Sequence, residues 1–382
     1  MRLLIAGGGT GGHIYPALAV ASSLRRRPSP PEIAWLGGHR GLESNLVPEA
    51  GFPLRRLALR SLRTVSADAH LVLDPIRLGL SVPQALALLV ARRPAAVFTT
   101  GGYVAIPVLV AARLLGIPSL LWEGNVVPGK SVRATASLAT ALAVSFGATC
   151  RALRATRPCF ETGTPIRDVG AVDRGAARER LGVPGTERLI VIFGGSQAVR
   201  RFNDAVAEAL PELAERGYVI HVTGVDGHAA AQASRDRLPT ELRGRYRPQP
   251  YLGEGLLEAL AAADLVVGRA GSSTLAEATA LALPMVVVPY PHAGAHQVAN
   301  AEIVAAAGAA TLIPDGDFDG AALLAATSIV TRPAEHAAMA AASRALGRPG
   351  AAAAVADLLV ALAERRPLPE AATVEARARA AA

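Results

Sequence analysis

The chain opens MRLLIAGGGTGGHIYPALAVASSL, residues 1–24, and the reading of this stretch decides the fold. A short apolar run, RLLIA, stops at a cluster of glycines. An apolar-periodic run, PALAVASSLRRR (16–27), follows. That order is strand, tight turn, helix. It returns at RLIVIFGGSQAVRRFNDAVAEALPEL, residues 188–213. In the first half EIAWLG, AAVFTT, SLLWE and ALAVSF read as further strands, with IPVLVAARLLG (106–116) as a helix between two of them. YVIHVTG, DLVVGR and MVVVPY continue the second half. Alternating β and α units predict an α/β fold with parallel sheets. The pattern resets around ETGTPIRDVG (161–170), so two doubly wound, Rossmann-like domains are expected, over 1–163 and 164–345. Ligands of such folds sit beyond the carboxyl ends of the strands, here in a cleft between domains. AAAAVADLLVALAERR (351–366) reads as an amphipathic helix. Residues 346–366 are expected to pack back on the first domain, and 367–382 to form a flexible, solvated tail.

At 382 residues with 51% hydrophobic content, the chain has ample material for two cores. No signal peptide is expected, since MRLLIA runs straight into glycines. LGLSVPQALALLVARRPAAV (78–97) is interrupted by Pro83 and Arg92-Arg93, short of the ~20 apolar residues of a membrane span. Cys150 and Cys159 lack zinc-site spacing and are too few for a disulfide framework, so they read as ordinary small residues in a reducing compartment. The net charge of +8 is uneven: residues 1–168 carry 19 basic and 8 acidic groups, whereas 169–382 carry 20 and 23. A basic first half fits either a solvated surface or an anionic partner. With 4% aromatic residues and no nucleic-acid-binding motif, a membrane surface is favoured over nucleic acid.

GGGTGGH, Gly7 to His13, contains G-x-G-x-x-G, the fingerprint of a dinucleotide loop. A loop for NAD would have an acidic residue closing the second strand. Here that strand ends Gly37-Gly38-His39-Arg40, and Glu32 is at its other end. Arg40 leaves NADP open. The alternative is a turn packing against another ligand, with the helix starting near Tyr15-Pro16 and His13 at the loop–helix junction. His13 is then either a turn cap or a proton acceptor.

In the second half, GGSQ (194–197) offers backbone amides and the Ser196 hydroxyl at a strand-to-helix turn. RAGSSTLAEATALALP (269–284) opens another helix whose amides can face a diphosphate. Arg167 could add a bidentate phosphate contact. Thr274-x-x-Glu277 fits a capping box, and Glu277 equally fits a carboxylate accepting two ribose hydroxyls. YPHAGAHQVANA (290–301) gathers His292, His296, Gln297 and Asn300. Two histidines at i,i+4 without a third ligand make a poor metal site, while Gln297 and Asn300 suit sugar hydroxyls.

Together GGGTGGHIYPA, TGGYVAIP, EGNVVPG, TGTPIR, FGGSQ, HVTG, RAGSSTLAE and PHAGAHQVANA resemble, in order and spacing over roughly residues 1–362, the MurG-type N-acetylglucosaminyltransferases of bacterial peptidoglycan synthesis. The resemblance implies a GT-B fold. It also implies inverting transfer of N-acetylglucosamine from UDP-N-acetylglucosamine to the muramic acid 4-hydroxyl of undecaprenyl-linked lipid I, giving lipid II and UDP. It implies no cofactor and no metal. The setting would be peripheral, on the anionic cytoplasmic face of the cell membrane, among cell-wall synthesis and division proteins. Carried over by motif, His13 is the general base. Thr10, Gly11, Gly12 and Asn125 meet the donor sugar, and Arg167 and Ser196 meet the diphosphate. Leu252 is the backbone position that reads uracil. Ser272, Ser273, Thr274, Leu275, Ala276 and Glu277 form the helix-start loop, with Glu277 on the ribose, and Gln297 reads the sugar. This chain departs from the pattern at Trp122 and Gly124, Val132, Ala198-Val199 and His296, which suggests an altered acceptor wall. The alternatives are a related GT-B enzyme with another acceptor, or a nucleotide-sugar-binding paralogue without turnover.

Overall fold

The computed structural model describes residues 1–39, 41–59, 70–195, 200–253, 255–291 and 296–380, with backbone alone for 70–76. The chain forms two compact units, Met1–Asp168 with Arg348–Ala382, and Val169–Gly347.

In the first unit the strands are β1 (Arg2–Ala6), β2 (Glu32–Gly37), β3 (Leu54–Arg56), β4 (Ala96–Thr99), β5 (Ser119–Glu123), β6 (Ala141–Val144) and β7 (Cys159–Glu161). They pair in parallel in the order β3-β2-β1-β4-β5-β6-β7. Order reverses at β1/β4, the topological switch point of a doubly wound sheet. Alternation along β1 sends Leu3 and Ile5 into one core with Trp35, Phe98 and Trp122. Leu4 and Ala6 enter another with Val97, Val104 and Val108. Burial on both faces explains why central strands read as unbroken apolar runs.

The helix Ala351–Ala363 belongs to the first unit, where Ala354, Val355, Ala356, Leu358, Leu359 and Val360 join the core against β4 and β5. The residues beyond it correct the expected flexible tail. Ala371–Arg379 is a helix whose Val374 and Ala378 are buried, and the N–H of Gly350 donates to Ala378 O at 2.9 Å. Two apolar residues at i,i+4 suffice to dock a short helix.

A second correction concerns the cysteines. Cys150 and Cys159 form a disulfide, with Cα atoms 6.1 Å apart, linking the helix Gly147–Ala152 to β7. A third concerns 78–97: Pro83 lies inside an uninterrupted helix, His70–Arg92, which ends before Arg93 at φ +47°.

The second unit repeats the plan with β8 (Leu189–Phe193), β9 (Tyr218–Val222), β10 (Tyr246–Gln249), β11 (Leu265–Gly268), β12 (Met285–Val287) and β13 (Ala310–Leu312). Their order is β10-β9-β8-β11-β12-β13, all parallel, with the switch point at β8/β11.

Candidate functional site

In each unit the two switch-point strands run into glycines. In the first, GGGTGG follows β1 and TGG follows β4. The helix after β1 begins at Gly11, a turn earlier than the expected start near Pro16. The helix after β4 begins at Gly102, with Pro107 again its sixth residue. Glycine opens both helices, Gly11-Gly12 in one and Gly102 after a Gly101 cap in the other, where N–H groups need no intrahelical partner, and the prolines follow inside.

His13 therefore lies in the first helical turn, its N–H donating to Thr10 O at 3.0 Å. Its ring Nδ1 is 2.6 Å from the Thr100 carbonyl oxygen, and the Thr100 hydroxyl donates back to His13 O at 2.8 Å. A carbonyl only accepts, so Nδ1 carries the proton and Nε2 of the neutral ring is left with its lone pair. Gly101 and Gly102, at φ +83° and +72°, bring the β4 turn against the ring: a Cβ on Gly102 would stand 3.6 Å from His13 Cδ2. The role of Thr100 was hidden in the sequence, because its carbonyl does the work. Thr10 is the N-cap with an extended backbone and an exposed side chain. Gly11 and Gly12 continue the helix start beside it.

Asn125 follows β5. Its N–H and its Nδ2 both donate to Glu123 Oε1, at 2.9 and 3.0 Å, while Glu123 Oε2 accepts the Gly129 N–H at 2.9 Å. The Thr149 hydroxyl donates to Asn125 O at 2.9 Å. Glu123 is buried and shapes the whole EGNVVPG loop, a role that sequence reading did not give it. The expected acceptor wall needs correcting at two positions. Trp122 is wholly buried, its Nε1 donating to Gly163 O at 3.1 Å, and Val132 is buried against Gly101. Both departures are core substitutions. Arg167 is half-buried near the end of this unit.

In the second unit the helix after β11 runs Ser272–Ala280, capped by Gly271. Thr274 is its third residue and Glu277 its sixth, so the capping-box reading is corrected: the helix starts too early for Thr274 to be a cap. Ser272, Ser273 and Thr274 present first-turn amides, Leu275 is a core residue, and Ala276 and Glu277 are half-buried. Arg269 anchors this turn. It bonds Val288 O at 3.1 Å and Asp315 at 2.5 Å, and its guanidinium lies over Phe202 and Tyr290.

Gln297 Oε1 accepts the Tyr290 N–H at 3.0 Å, which fixes the amide by one end. Asn300 is not a sugar reader: it is fully buried and donates to Ala270 O at 3.2 Å. His296 opens the helix His296–Ala306. Leu252 follows β10, half-buried, its carbonyl accepting the Gly255 N–H at 2.8 Å. Ser196, Ala198, Val199, His292 and Arg40 lie outside the described residues. The histidine of HVTG, His221, is buried in β9, and burial pushes its pKa down to about 3. Its Nδ1 is 2.9 Å from the Tyr246 hydroxyl, whose own pKa burial raises. His221 is structural. Among the described residues no group of three or more His, Cys, Asp or Glu could hold a metal ion.

Two parallel-sheet Rossmann-like units, each with its switch point running into glycines, are the parts of a GT-B-type fold, a class that includes sugar-nucleotide-dependent glycosyltransferases. Models of the glycosyltransferase family 28 N-terminal and C-terminal domains match residues 3–144 and 189–358. The UDP-N-acetylglucosamine–N-acetylmuramyl-(pentapeptide) pyrophosphoryl-undecaprenol N-acetylglucosamine transferase of Desulforudis audaxviator is 38% identical over 334 residues, 86% of this chain and 89% of the relative. The protein of that name from Lactococcus lactis is 37% identical over 334 residues, 86% of this chain and 90% of the relative. A crystal structure of Acinetobacter baumannii MurG superposes with a TM-score of 0.75 at 28% identity, covering 94% of this chain and 99% of that one. A UDP-N-acetylglucosamine 2-epimerase structure from Listeria monocytogenes (TM-score 0.69, 14% identity, 97% of this chain and 98% of that one) shares the fold. The chain belongs to glycosyltransferase family 28 and, within it, to the MurG family of N-acetylglucosamine transferases.

Proposed function

We propose that this chain transfers N-acetylglucosamine from UDP-N-acetylglucosamine to the muramic acid 4-hydroxyl of lipid I, releasing UDP and lipid II with inversion at the anomeric carbon. The observation that carries the reading is His13, on the first switch-point turn of a chain of this family, with Nδ1–H committed to Thr100 O. Its Nε2 takes the proton of the attacking hydroxyl as the new C–O bond forms. The bond from the anomeric carbon to the β-phosphate oxygen breaks, and its electron pair leaves with UDP. Such a base contributes ~10²–10⁴-fold in rate.

The charge growing on the diphosphate is met by the Ser272–Thr274 amides, with Ser196 and Arg167 as further contacts. Glu277 accepts the ribose hydroxyls and the Leu252 backbone meets uracil. Gln297, Asn125 and the Thr10–Gly12 turn hold the sugar. No cofactor enters these steps.

A peripheral position on the anionic cytoplasmic leaflet, beside cell-wall synthesis and division proteins, is supported by exposed apolar residues among arginines in the first unit. Leu80 is 57%, Val90 54% and Leu114 68% exposed, with Arg93 and Arg113 exposed close to the last two in sequence. The test is UDP release with a lipid I analogue, together with the anomeric coupling constant of the product. Release that depends on lipid I and gives a β-linked product supports the proposal. A donor that binds but never turns over on lipid I contradicts the acceptor assignment.

A further inference from the structure

A carboxylate is almost never fully buried without compensating donors. Glu43, the first residue of the helix Glu43–Glu49, is 0% exposed. Its Oε2 accepts the Gly9 N–H at 2.9 Å, and its Oε1 accepts the Gly38 N–H at 3.0 Å and the Tyr103 hydroxyl at 3.2 Å. Gly9 lies beyond β1, Gly38 beyond β2 and Tyr103 at the start of the helix beyond β4, so one side chain joins three turns around the first switch point. Burial first, and then the Glu43 charge, raise the Tyr103 pKa, which keeps the phenol a donor.

The fit is close. A Cβ on Gly8 would stand 2.6 Å from Glu43 Oε1, and one on Gly41 2.0 Å from Oε2. The sheet itself holds the turn only as far as Gly7, whose N–H reaches Leu36 O at 3.1 Å and whose carbonyl accepts from Trp35 Nε1 at 2.9 Å. Past Gly7 the turn bears Thr10 and then His13, and there Glu43 takes over. The neighbouring Leu42 N–H adds a bond to Gly9 O at 3.2 Å.

We infer that Glu43 is a positioning residue, whose buried carboxylate holds the 7–12 turn and so sets the place of Thr10 and His13 for the transfer reaction. The inference rests on the function proposed above. Glu43 itself touches no reacting atom.

Glu43→Gln keeps the volume but turns an NH2 toward a backbone N–H or the Tyr103 hydroxyl, so at least one bond is lost. Its kcat is expected to fall at least tenfold, while the Kd for UDP, held by the other unit, stays within twofold of wild type. Amides of residues 7–14 should exchange hydrogen at least tenfold faster, with β1 and β4 keeping wild-type protection. Tyr103→Phe removes one of the three donors and leaves the carboxylate, so its kcat loss should be smaller than that of Glu43→Gln.

A kcat within twofold of wild type for Glu43→Gln would overturn the inference. So would exchange that rises equally throughout the first unit, the mark of a purely structural role. Wild-type enzyme inactive on lipid I would instead sink the proposed function, and the exchange of residues 7–14 would then decide the role of Glu43 alone.

Discussion

His221, the histidine of the HVTG motif, is held in the core, and acid tests that placement. His221 is 1% exposed, and its Nε2 is buried with no hydrogen-bond partner among the described residues. Protonation would place a charge in the core and leave two ring N–H groups with one partner, the Tyr246 hydroxyl. Hence its pKa falls to about 3 in the folded protein, against ~6.5 in an unfolded chain. Above that unfolded value both states are neutral. As pH falls from there toward the folded pKa, the unfolded state binds a proton that the folded state refuses, and stability is lost. Between pH 7 and pH 5 the loss from this one ring is about 2 kcal/mol, and any folded pKa below ~4 gives nearly the same figure.

His221→Gln removes the titration while keeping a polar side chain at Tyr246. The wild type should lose about 2 kcal/mol more than the variant over that interval in urea unfolding. Both tryptophans, Trp35 and Trp122, belong to the other unit, so the transition should be followed by circular dichroism. The His221 ring resonance should stay flat from pH 8 to pH 5. Parallel pH losses in the two proteins, or a ring titrating near 6.5, would show that burial does not hold His221 neutral.

The Cys150–Cys159 disulfide closes a loop with a sequence separation of 9. Its reduction should destabilise the first unit by about 2.7 kcal/mol, read as a lower urea midpoint by tryptophan fluorescence, whereas Cys150→Ser should not respond to reductant. Equal midpoints for oxidised and reduced wild type would contradict this. Glu277→Ala should weaken UDP binding by ~1.5–3 kcal/mol, the range for a hydrogen bond to a charged group. Calorimetry giving an unchanged Kd would remove Glu277 from the ribose.

The central strands were legible because burial on both faces leaves runs such as RLLIA and LIVIF. The strands not read from the sequence, LRR, CFE, YRPQ and ATL, are β3, β7, β10 and β13, the edges of the two sheets. Edge strands are short and half-covered, so they carry no such run. Pro16 and Pro107 misplaced two helix starts, because each helix opens on glycine (Gly11-Gly12 and Gly102), which composition alone assigns to a loop. The histidine, glycine and amide positions of the candidate site stand out in the sequence as motifs. Glu43, Glu123 and Thr100 were not, since each acts by holding a backbone, and a buried carboxylate looks like a surface one until its donors are seen. Trp122 and Val132 stand beside motif residues in sequence yet face the core, because alternation along a strand and the turn of a helix send neighbours to opposite sides.

Everything in the proposed reaction turns on His13 accepting the proton of the attacking hydroxyl. The most direct measurement is single-turnover UDP release from UDP-N-acetylglucosamine with a lipid I analogue, for wild type and His13→Ala, with donor affinity measured in parallel. Acceptor-dependent release should fall at least ~10²-fold in the variant while donor binding is retained. Release by His13→Ala within a few-fold of wild type would contradict that role for His13.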